Sequence, residues 1–134
     1  MEVNFIKSFE ILKNCLSYGV DGLGEIISHW EEPHVLNANR TVMLPESCGV
    51  YEGKLGFSVE LFISVAEKST DTIAASSMKI MQDIFKVVYG GLPSDIISAS
   101  VTQTKFFMPL PQNPDIEVLY VVINMTINYP DDCG

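Results

Sequence analysis

Between Gly56 and Tyr89 the hydrophobic period changes once, from alternation to helical recurrence. In GFSVELFISVAE, Phe57, Val59, Leu61, Ile63 and Val65 fall on one side and Ser58, Glu60, Ser64 and Ala66 on the other. That spacing predicts a strand with one buried face, and Phe62 is its exception. After the polar break KSTD, the segment TIAASSMKIMQDIFKVVYGG places Ile73, Ile80, Met81, Ile84, Val87 and Val88 on one stripe. A helix is expected there, with Ser76, Lys79, Asp83 and Lys86 outward. Ser69, Thr70 or Asp71 supplies its N-cap, and Gly90-Gly91 followed by Pro93 stops it.

The flanking segments extend the pattern. Phe5, Phe9, Leu12 and Leu16 recur at helical spacing over about Glu2 to Ser17, with Ile6 and Ile11 broadening the stripe. Gly19 stands where a left-handed cap residue would. Leu23–Trp30 reads as a strand, because Ile26 and Ile27 are β-branched and Gly24 weakens a helix. Pro33 ends it. Residues 34–56 read as a long loop punctuated by Pro45, Gly49, Gly53 and Gly56, with one strand at Arg40–Leu44.

The last third reads as a hairpin. Ile97, Ala99 and Val101 alternate with Ser98, Ser100 and Thr102, and a Pro-rich connection at 108–115 leads to a strand over Glu117–Tyr129. That strand is apolar on one face throughout and on the other for its first half, at Val118, Tyr120 and Val122. A strand apolar on both faces is covered twice, by the helices and by a second body such as another subunit. The expected fold is one α+β domain over residues 1–134. Its expected order is α-β-β-α-β-β, with a mainly antiparallel sheet and both helices on one face.

Composition narrows the function. With 47% hydrophobic and 19% charged residues the chain is no disordered segment. Its net charge of −9 opposes general nucleic-acid binding and adhesion to anionic membranes. The N-terminal MEVNFIKSFEILKNCL carries charges among its apolar positions, so no export signal is expected. Three widely spaced cysteines suit reduced thiols in a cytoplasm.

No catalytic or cofactor-binding motif emerges. His29-Trp30-Glu31-Glu32-Pro33-His34 has metal-ligand residue types, but a segment broken by Pro33 guarantees no convergence. It reads as loop residues beside a buried Trp30. Cys15 falls on the buried side of its helix and reads as a packed thiol. No Gly-rich phosphate loop is present, because the glycines at 49, 53 and 56 open a strand rather than a helix. A chain without enzymatic activity, metal or cofactor is expected.

Three places read as partner contacts. Glu60 is the charge in the middle of the firmest strand, either solvent-facing or in an intersubunit ion pair. Glu60 and Phe62 lie on that strand's less protected face, as Tyr120 and Val122 do on the last strand. Phe106 and Phe107 adjoin the Pro-rich arm, where they either cap the sheet or anchor a partner; both readings stay open.

The layout of helix one, a strand pair ending FSVELFISVAEKSTD, helix TIAASSMKIMQDIFKVV and a hairpin ending VLYVVINMTINY resembles the tail terminator (tail-completion) proteins of long-tailed bacteriophages and related prophage minor tail proteins. The resemblance spans nearly the whole chain, and residues 29–56 depart from it in length and glycine content. It implies a non-enzymatic subunit of a homo-oligomeric, hexameric ring. That ring caps the tail tube, joins it to the head connector, and passes from the cytoplasm into the virion. A related reading is another head–tail joining or neck protein. A different class is a small α+β enzyme or ligand-binding domain with its pocket at residues 29–56.

Overall fold

A computed structural model describes residues 5–30, 40–64, 73–110 and 113–127. Its elements are α1 (Phe5–Gly19), β1 (Glu25–Ile27), β2 (Arg40–Tyr51), β3 (Lys54–Ser64), α2 (Ile73–Gly90), β4 (Ile97–Leu110) and β5 (Asn113–Ile127). The class is α+β, with one more strand before α2 than the expected order allowed. The five strands form one sheet in the order β1-β2-β3-β5-β4. All neighbours pair antiparallel except β1 and β2. The crossover through α2 therefore leaves β3 and β4 parallel, with β5 inserted between them.

Alternation decides which face is covered. Phe57, Val59, Leu61 and Ile63 of β3 stand beside Met125, Ile123, Val121 and Leu119 of β5. With Met43 and Ile97 they pack against Leu12 and Leu16 of α1 and Ile80, Ile84 and Val88 of α2. Both helices thus lie on one face. Each fully buried aliphatic side chain there contributes about 1.5–3 kcal/mol.

Several expectations are corrected. Ile6 does not broaden the buried stripe; it is 78% exposed. Asp83 does not face out but is buried, and Lys79 one turn earlier bonds it at 2.8 Å. Gly19 is not a left-handed residue; positive φ falls further on, at Gly22 and Gly24, at 95° and 65°. Gly19 instead marks a close helix–helix approach, since a Cβ there would stand 2.5 Å from Val87 Cγ2.

The long loop is mostly sheet. Residues 34–39 lie outside the described set, but β2 continues from Arg40 through Pro45 and Gly49 to Tyr51. β1 pairs only with Arg40–Val42, so the outer side of β2 beyond Val42 meets no described strand. The register also shifts between Pro45 and Ser47. A bulged, edge-like stretch tolerates a proline that a central strand does not. Glu52 and Gly53, at φ 52° and 77°, then form a tight two-residue turn of the type that joins twisted strands.

The Pro-rich arm is likewise absorbed. Met108 and Pro109 pair with Val118 and Glu117, Leu110 is fully buried, and β5 starts at Asn113. The N-cap residues 69–71, Val65 and residues 128–129 lie outside the described residues. The expected strand at Leu23–Trp30 shortens to Glu25–Ile27.

Candidate assembly surfaces

The sheet face away from the helices carries four of the six anticipated contact residues. Glu60 lies opposite Val122 and Phe62 opposite Tyr120 in the β3–β5 register. Phe62 and Val122 are buried, at 7% and 5% exposure. A second apolar cluster of Val42, Phe62, Leu110 and Val118, with Trp30, Met108 and Tyr120 against it, accounts for the burial of Phe62. The second cover expected for β5 is therefore at least partly the chain's own. Trp30, Phe62 and Tyr120 form a ladder of tilted rings with centroids 5.0 and 5.1 Å apart.

The ladder ends on a polar pair. The Tyr120 hydroxyl donates to Glu60 Oε2 across the two strands. Burial raises the Tyr120 pKa, and the Glu60 hydrogen bond, the Glu60 charge and the Glu46 charge raise it further. The phenol thus stays protonated and remains a donor. Glu60 is neither a bare surface charge nor, in the isolated chain, unpartnered. Beyond this pair the face turns polar, with Ser47 and Ser58 hydroxyls 2.7 Å apart. Glu46, Ser58, Thr102, Gln103 and Asn124 line a shallow depression of about 340 Å³ there.

Edge strand β4 carries the other two anticipated residues. Lys105 pairs with Tyr120 and Met108 with Val118, so Phe106 and Phe107 together face the single residue Leu119, a bulge with one extra residue on β4. Both are exposed, at 44% and 37%, and Phe107 holds φ 58°. A bulky side chain rarely adopts that left-handed backbone, which costs about 1–2 kcal/mol. Neither phenylalanine caps the core. Nearer the start of β4, the Tyr89 hydroxyl accepts the Val101 amide at 2.9 Å, and its ring stacks on Phe85 at 5.5 Å. This blunts part of an otherwise open strand edge.

A third surface was missed in the sequence. The first turns of α1 overhang the bulged half of β2 and leave an apolar groove of about 560 Å³. Phe5, Ile6, Phe9 and Phe57 form its walls, with Pro45, Glu46 and Cys48 on the β2 side. Phe5 and Phe57 rings meet at 5.2 Å. Only the β2 side of the groove, Pro45 to Cys48, falls within the anticipated 29–56 pocket region; its helix side, Ser28 and Phe57 do not. The only hint was Ile6, an apolar residue at the margin of the α1 stripe.

Among the described residues no group of three His, Cys, Asp or Glu side chains is placed to hold a metal ion. His29 is exposed, and Glu31–His34 lie outside the described residues. Burial raises the Cys15 thiol pKa, as suits a packed rather than a reactive cysteine. Cys48 is exposed at the groove, and Cys133 lies outside the described residues. No described helix is long and apolar enough to cross a membrane. No protein-family model matches the chain, and no curated protein matches it.

Proposed function

We propose that this chain is a structural assembly subunit, a tail terminator of the long-tailed phage or prophage type. Its copies close into a ring that ends tail-tube growth and meets the head connector. The observation that carries the assembly reading is the β4 bulge. Two phenylalanines held outward, one in a strained backbone, do nothing for the chain's own core. Strain of that kind persists where a contact outside the fold uses it.

Charge and layout support the phage reading. A first helix, antiparallel strands, a second helix and a closing hairpin are compatible with that layout despite the additional β1, and a subunit of net charge −9 lets DNA pass without holding it. The partners are then further copies of the chain, the tail tube and the connector. Formation takes place in the cytoplasm and the product is part of the virion. Gene neighbourhood tests the reading: adjacent tail-tube, tape-measure or connector genes support it, and a metabolic operon removes it.

The groove under α1 favours a second reading, a small ligand-binding domain for apolar molecules. Titration with an environment-sensitive apolar dye separates the two. Saturable one-site binding that Ile6→Asp abolishes, in a chain that stays monomeric, supports the ligand reading.

A further inference from the structure

We infer that copies of this chain join head to tail, the Phe106–Phe107 bulge of one copy seating in the groove under α1 of the next. The inference rests on the assembly reading and names the contact that it requires. Strand order places β4 at one edge of the sheet and β1 with the outer side of β2 at the other. Bulge and groove therefore sit on opposite flanks and cannot meet within one chain. Among the described residues, each copy keeps one projection and one recess.

The two surfaces match in chemistry. The projection is two exposed aromatic rings, and the recess is walled by Phe5, Phe9, Phe57 and the 78% exposed Ile6. Its volume, about 560 Å³, suits a body of two rings. Charge agrees too. Lys105 immediately precedes the rings on β4, and Glu46 rims the groove on β2, both exposed. A small-molecule site normally places a few polar groups inside its pocket. Here the polar lining residues Ser28, Glu46 and Ser47 are all exposed. The recess is thus built for apolar contact with a charged rim, as a protein neighbour supplies. A contact between different patches on identical subunits is heterologous, and it closes into a ring when the rotation allows.

Mixing two surface variants tests this. Phe106→Asp removes the projection and leaves the groove; Ile6→Asp blocks the groove and leaves the projection. Both positions are exposed, so the fold is retained, which circular dichroism of each variant verifies. Each variant alone is expected to associate at least about tenfold more weakly than the wild type. Their mixture is expected to form a one-to-one dimer that grows no further, read by sedimentation velocity. Wild-type chains that assemble while both variants assemble equally well overturn the inference and leave the ring reading standing. A mixture that stays monomeric overturns the inference, as does a wild type monomeric at millimolar concentration. Complementing variants with a wild type that forms only open chains uphold the contact and remove the ring.

Discussion

Tyr120 and Glu60 lie diagonally across the β3–β5 pair, and the Tyr120 hydroxyl donates to the Glu60 carboxylate. The bond ties the polar half of the helix-free face to its aromatic half. Tyr120→Phe keeps the ring ladder but leaves a half-buried carboxylate without this donor. A loss of about 1–3 kcal/mol is expected, read by urea unfolding at neutral pH. No loss would show that water replaces the hydroxyl fully.

The same pair sets a pH dependence. Folding raises the Tyr120 pKa, so the unfolded chain releases this proton first as pH rises. The stabilisation is complete below the ordinary tyrosine pKa of about 10 and is lost progressively above it. Wild type is therefore expected to lose stability above about pH 10 more steeply than Tyr120→Phe. Parallel curves for the two proteins would contradict the assignment.

Two isoleucines on different helices separate core from surface. Ile84 is fully buried beneath α2, and Ile84→Ala is expected to cost about 2–5 kcal/mol. Ile6→Ala, on the exposed side of α1, is expected to change stability by less than about 0.5 kcal/mol. Thermal unfolding of both, below the concentration at which copies associate, checks the pair.

Gly19 is expected to reject any side chain. A methyl group there meets Val87 Cγ2 at 2.5 Å, so Gly19→Ala is expected to destabilise by about 1–3 kcal/mol. Adding Val87→Ala should recover part of the loss in a double-mutant cycle. A neutral Gly19→Ala would mean that the two helices separate freely.

Phe107→Gly is expected to move stability and assembly in opposite directions. It relieves the left-handed backbone at φ 58°, gaining up to about 1–2 kcal/mol for the monomer. It also removes half of the aromatic projection and so weakens association. Calorimetry of the monomer and light scattering of the assembly read the two effects. Association unchanged by the substitution would show that Phe107 makes no contact.

Hydrophobic period was enough to locate both helices and the inward faces of β3 and β5, because both faces of that argument reduce to burial. It was not enough at Pro45 and Gly49, which read as loop punctuation yet sit in β2. The reason is an outer side of β2 without a described neighbour, and strand position within the sheet is not written in local spacing. Phe62 was legible as an exception on its strand but not as a core residue, because Trp30 and Leu110 reach it only through the sheet order. Asp83 was misread for a similar reason: its ion pair with Lys79 lets a charge face inward. The groove was invisible, since it depends on where α1 starts relative to a bulge in β2.

The mass of the purified wild-type chain in solution tests the central claim most directly. Native mass spectrometry across a concentration series is expected to find a closed ring, about 89 kDa for six copies of a 14.8 kDa chain. A species of 14.8 kDa persisting to millimolar concentration, or a closed two-fold dimer, would contradict it.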